Sequence, residues 1–225
     1  MSGTKPDTIV DSKIESPSDS AIRSSVDGHS PTIIELLRHG ELEGDDTFRG
    51  STDDALTDGG WQQMVAALDN KNEWDIIITS PLSSCREFAE VIAQEEEIDL
   101  EINKQFKEID FGEWEDKTPN EIMKEDGDLL KAWWQSPTQI TPPNGEDFYD
   151  FSARVLKAYK ELLQEYQGKR ILLVTHSGVI RILLMKILGM QDENLFRLNV
   201  DYASFSRVCI EHNEVDGRGV LLEHR

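Results

Sequence analysis

Cysteine is nearly absent: the 225 residues hold only Cys85 and Cys209. Two isolated thiols build no disulfide framework and match no metal-ligand spacing. One falls in a predicted helix and the other in a predicted strand, so both read as core thiols. Basic residues are also scarce, with 23 Lys and Arg against 44 Asp and Glu, a net charge of −21. A field of that sign excludes electrostatic binding of nucleic acid or anionic membrane. It also means that any anionic ligand must be held by a local cationic pocket. Long apolar runs are missing as well. The best candidate, 179–188, is interrupted by Arg181 and Lys186 and is far shorter than the ~20 residues of a membrane span. The first residues carry Asp7, Asp11 and Glu15 and no apolar signal-peptide core, so a cytoplasmic protein is expected.

What is present falls into two parts. Residues 1–31 are rich in Ser, Asp, Thr and Pro without apolar period. They are expected to be a disordered extension, because too little apolar area is available to offset ordering entropy. Residues 32–225 are expected to form one folded domain, and no internal repeat is found.

Within it, strand and helix patterns alternate. Strands are predicted at 32–37, 75–79, 97–102, 171–175, 206–211 and 219–222. Helices are predicted at 60–69, 83–94, 118–134, 146–167 and from 177 to Gly189. The runs DIIIT and ILLVT are apolar without alternation, as suits parallel strands covered on both faces. The order implies an α/β fold, three layers α/β/α around a largely parallel sheet. Ligands of such sheets bind beyond the carboxyl ends of the strands. That rule brings Arg38-His39-Gly40-Glu41, Ser80-Pro81 and His176-Ser177-Gly178 to one rim.

A single histidine after a strand is more often structural than reactive. Two, each directly after an apolar strand and each followed closely by glycine, are harder to treat as ordinary surface groups. Imidazole serves as nucleophile or acid/base near neutral pH, glycine lets a bulky anion approach the backbone, and Arg38 offers a planar fork for phosphate oxygens. The pattern points to phosphoryl chemistry rather than acyl transfer. A metal would need further His, Cys or carboxylate ligands at suitable spacing. No HExxH or CxxC occurs, and the adjacent arginine opposes a cation, so no metal is expected. Phe111, Trp114, Trp133, Trp134 and Phe148 read mainly as core, with one or two roofing the pocket. Asp53 and Asp54 read as turn and capping groups.

The segment Arg38-His39-Gly40-Glu41 resembles the signature of the histidine phosphatase superfamily, which includes the cofactor-dependent phosphoglycerate mutases. The likeness continues through the loop 48–57, Thr79-Ser80-Pro81-Leu82, the segment 108–115, Pro143-Asn144-Gly145-Glu146 and Thr175-His176-Ser177-Gly178. Within the superfamily it looks most like the alpha-ribazole phosphatases, which act in cobalamin synthesis. The resemblance implies a phosphoglycerate mutase-like fold, a small phosphorylated substrate, and neither metal nor organic cofactor. By it His39 is the nucleophile, Glu108 the acid, and Arg38 and His176 hold phosphate. One position departs: the family places arginine where this chain has Ser84, and Arg86, two residues on, is the candidate to replace it as a phosphate ligand. The alternatives are a mutase-type phosphotransferase, disfavoured by the short segment between Trp114 and Pro143, and a phosphate-binding relative with weak or no turnover.

Overall fold

The computed structural model describes residues 30–44, 46–68, 73–212 and 218–225. Residues 1–29 of the expected extension therefore lie outside the described residues. Six strands form one sheet: β1 (Thr32–Arg38), β2 (Ile76–Thr79), β3 (Leu100–Ile102), β4 (Arg170–Thr175), β5 (Phe205–Glu211) and β6 (Arg218–His224). Their spatial order is β3-β2-β4-β1-β5-β6. The first four are mutually parallel, whereas β5 runs antiparallel to β1 and β6 antiparallel to β5. The sheet is thus largely parallel with an antiparallel edge.

Alternation along each strand sorts the core into two layers. Ile34 and Leu36, Ile76 and Ile78, Ile171 and Leu173 pack with helices α4 (Phe148–Glu165) and α5 (Ser177–Leu188). Leu37, Ile77, Leu172 and Val174 point the other way, onto α1 (Asp58–Ala67) and α2 (Ser83–Glu95). Each fully buried side chain of this kind stabilises the fold by roughly 1.5–3 kcal/mol. Both faces are covered, which makes the three expected layers. A satellite cluster of Trp114, Ile122, Leu130 and Trp133 sits under α3 (Pro119–Gln135).

Local signals account for most boundaries. Thr57 caps α1 by accepting from the Gly60 N–H at 2.8 Å. Thr118 and Glu121 form a capping box with Pro119 in the first turn of α3. Asp147 caps α4, so that helix starts two residues later than its apolar pattern suggests. The strand expected at 97–102 shrinks to Leu100–Ile102, because Glu97 has φ +55° and cannot continue an extended run. Helix α3 is broken at Asp126, whose φ and ψ are −148° and 62°, beside Gly127.

Candidate active site

The strand register carries the site. Arg38, the last residue of β1, is level with Thr175 of β4, and the ladder runs one step further. The His39 N–H donates to the Thr175 carbonyl at 3.1 Å, the Arg38 N–H to the Ser204 carbonyl at 3.0 Å, and the Ser80 N–H to the Val174 carbonyl at 3.0 Å. His39, Ser80 and His176 therefore stand together just past three strand ends. The His39 and His176 ring centroids are 5.3 Å apart, and both side chains are buried. Gly40 is required by a close approach: a Cβ there would overlap the Gly60 carbonyl in the first turn of α1.

The His39 ring is set in one orientation. Its Nδ1 lies 2.9 Å from the Gly40 carbonyl oxygen. A carbonyl only accepts, so the ring hydrogen sits on Nδ1 and Nε2 keeps its lone pair. Burial, then the Arg38 charge, pushes His39 down to about 3, which leaves the imidazole neutral at pH 7. Burial, with His39 and Arg38, also pushes His176 well below the ordinary histidine range. His176 Nε2 is 2.7 Å from the Ser80 hydroxyl, and the Cys85 sulfur lies 3.7 Å from that nitrogen.

Arg38 is held from one side. Its Nη1 donates to the Val200 carbonyl at 2.8 Å, and its guanidinium carbon sits 4.3 Å from the Tyr202 ring centroid, a cation–π contact. Its Nε–H is buried and has no hydrogen-bond partner among the described residues. A buried donor left in that state costs free energy, which an arriving acceptor would recover.

Glu108 is buried at 6% exposure and is tied to the start of α5. Its Oε2 accepts from the Gly178 N–H at 2.8 Å and the Ser177 hydroxyl at 3.3 Å. Its Oε1 accepts from the Ile109 N–H at 3.0 Å. The first amides of a helix have no intrahelical acceptor and favour negative charge, so the helix that follows His176 also places the carboxylate.

Arg38, His39, Arg49, Glu108, Ser177 and Tyr202 line a cleft of about 230 Å³, with Leu42, Phe48, Phe111 and Pro119 among its apolar walls, whereas buried His176 and Ser80 are not on its wall. Of the aromatics read as core, Phe111 is the one on the cleft, Trp114, Trp133 and Phe148 are buried, and Trp134 is 44% exposed. Asp53 caps α2 from outside by accepting from the Ser83 N–H at 2.6 Å, and Asp54 pairs with Arg49 at 3.0 Å.

Arg86 is a correction to the sequence reading. It does not line the cleft; it donates to the Pro81 carbonyl, the Ser83 hydroxyl and Glu90, each at 3.3 Å. Helix α2 begins at Ser83, so two residues turn the side chain about 200° away from that of buried Ser84. Tyr202 was not foreseen. The only signal for it was topological: it precedes β5, and an antiparallel neighbour of β1 starts where β1 ends. Among the described residues, no group of three or more His, Cys, Asp or Glu could hold a metal ion. No helix among them is long and apolar enough to cross a membrane.

The histidine phosphatase superfamily (branch 1) model matches residues 34–220. The chain is 34% identical over 182 residues to the bifunctional protein Rv2228c of Mycobacterium tuberculosis, across 79% of this chain and 50% of that protein. It thus spans about half the length of the mycobacterial relatives it matches. It is 28% identical over 179 residues to adenosylcobalamin/alpha-ribazole phosphatase of Escherichia coli, covering 78% of this chain and 88% of that one. The crystal structure of the alpha-ribazole phosphatase from Shigella flexneri aligns with a TM-score of 0.72 and 28% identity, over 84% of this chain and 95% of that one. With the rim geometry above, these matches show that the chain belongs to the histidine phosphatase superfamily, branch 1.

Proposed function

We propose that the protein is a phosphomonoesterase that works through a phosphohistidine on His39. The observation that carries this reading is the pairing of two unmet groups. Among the described residues His39 Nε2 keeps its lone pair and makes no hydrogen bond, and the buried Nε–H of adjacent Arg38 has no partner. One asks for an electrophile and the other for an anionic acceptor, and a phosphate ester is both.

In the first step His39 Nε2 attacks phosphorus, the P–N bond forms, and the P–O ester bond breaks. Glu108, which takes up a proton as the ester binds, gives it to the departing alcohol oxygen. In the second step water attacks phosphorus, Glu108 takes a proton from it, and the P–N bond breaks to free His39 and phosphate. Arg38 meets the equatorial oxygens where negative charge spreads. A bound phosphate dianion raises the proton affinity of His176, which then becomes a second donor.

The substrate proposed is a small phosphorylated alcohol, with alpha-ribazole 5′-phosphate the first to test. The names of the Escherichia coli and Shigella flexneri relatives support it. So do the aromatic side chains Phe48, Phe111 and Tyr202 on the cleft, which suit a ring-bearing alcohol. Purified protein should release phosphate from an aryl phosphate and from alpha-ribazole 5′-phosphate, and much more slowly from phosphoglycerates. Preference for phosphoglycerates would instead favour the mutase-type phosphotransferase.

One observation favours a second reading, a phosphate-binding relative with weak turnover. Ser84 is buried where the resemblance calls for arginine, and Arg86 is turned outward. One missing oxyanion donor costs ~10²–10³ in rate. An inactive parent whose Ser84→Arg variant turns over would establish that reading.

A further inference from the structure

Glu115 lies outside the reacting groups, yet five donors converge on its carboxylate. The N–H groups of Gly50, Ser51 and Thr52 donate at 2.9–3.1 Å, the Thr52 hydroxyl at 2.8 Å and the Phe111 N–H at 2.8 Å. Residues 50–52 belong to no strand or helix, so their amides have no ladder to join. One side chain replaces the ladder.

The two segments it joins both line the cleft, through Phe48 and Arg49 on one and Phe111 on the other. A parallel bridge between Phe48 and Glu115 adds a backbone link. Gly50 presses on this junction so closely that a Cβ there would overlap the Ile109 carbonyl and come within 2.9 Å of Glu115 Oε1. From the anchored loop, Ser51 also accepts from Lys107 Nζ at 2.9 Å, next to Glu108. The carboxylate itself is absent from the cleft wall.

We propose that Glu115 is a positioning residue: without touching substrate, it holds Arg49 and Phe111 in the arrangement that grips the leaving alcohol. This rests on the phosphatase reading above. On this assignment Arg49 and Phe111, which line the cleft beside His39, face the alcohol, so the effect of losing Glu115 falls on substrate binding. Hydrolysis of the phosphoenzyme, from which the alcohol has already left, is spared.

The test compares parent, Glu115→Ala and Glu115→Gln with an aryl phosphate, measuring KM, kcat and the single-turnover decay of the phosphoenzyme. For Glu115→Ala, KM should rise about tenfold or more, since four partly buried amides and a hydroxyl lose their acceptor. Decay of the phosphoenzyme should stay within about threefold of the parent, as expected for lost binding rather than lost chemistry. Glu115→Gln keeps one acceptor oxygen and should fall between. An unchanged KM in both variants, or a fall in decay rate equal to the rise in KM, overturns the assignment. If Glu115→Ala loses cooperative melting, Glu115→Gln decides alone, and an unchanged KM overturns it. A parent with no turnover sinks the phosphatase reading itself, a result distinct from an active parent with indifferent variants.

Discussion

The Nδ1 of His39 is satisfied by the carbonyl of Gly40, the next residue in the chain, at 2.9 Å. This contact decides which nitrogen can react. It spends the only ring hydrogen on the backbone and turns Nε2, with its lone pair, outward. The Gly40 backbone that accepts is wedged against Gly60 of α1, so nucleophile orientation is set by how strand and helix pack.

Glu108 should matter most when the leaving group is poor. Glu108→Gln keeps an acceptor for the Gly178 N–H but carries no proton to donate. With an alkyl phosphate the rate should fall by ~10²–10⁴, the usual contribution of a positioned acid, and with a nitrophenyl phosphate by much less. Equal losses on both substrates would count against Glu108 as the acid.

Gly178 offers a way to move that acid without removing it. A methyl group at 178 would collide with Glu108 Oε1 and crowd the Phe151 ring at 3.2 Å, so the carboxylate must shift and give up part of its hydrogen bonding. Gly178→Ala should therefore cost about tenfold or more in kcat while Tm moves by only a few degrees. A parallel collapse of Tm and activity would assign Gly178 to folding alone.

The neutral histidines predict a pH-dependent stability. His39 falls from the ordinary 6.5 to about 3 in the folded chain, so between those values the unfolded chain binds more protons. The stabilisation is complete above pH 6.5 and is lost as pH falls toward 3. His176 acts in the same direction. Melting temperature against pH should slope more gently over that window in His39→Asn than in the parent. Identical slopes would mean that the fold does not select neutral His39.

Neither thiol should react in the native protein. Cys85 and Cys209 are buried, and burial pushes both thiols up, which suppresses the reactive thiolate. An aromatic disulfide reagent should label neither at neutral pH and both after denaturation. Rapid native labelling would contradict the packing of Cys85 against His176.

The sequence made some of this legible for physical reasons. Runs such as DIIIT and ILLVT betray strands because a parallel sheet is apolar on both faces, and residues directly after such runs must reach the rim. His39, His176 and Ser80 follow from that rule alone. Glu108 did not: it sits on irregular chain and is placed by amides of α5, far away in sequence, so its role rested on resemblance. Tyr202 was hidden because its position depends on strand order and direction. Glu35 was hidden inside the apolar run of β1, where it is buried against Trp74 Nε1 at 2.6 Å and Arg207 at 2.7 Å. Arg86 misled because helix phase, not proximity in sequence, decides where it points.

The most direct measurement is to trap the intermediate. Parent protein should be mixed with an aryl phosphate, quenched within milliseconds and digested, and the phosphorylated residue identified by mass spectrometry under conditions that preserve phosphohistidine. The expected result is one phosphate on His39 Nε2, absent from His39→Ala, whose turnover should fall on the order of 10⁴-fold or more. A turning-over parent with no phosphohistidine, or with phosphate on another residue, would contradict the account.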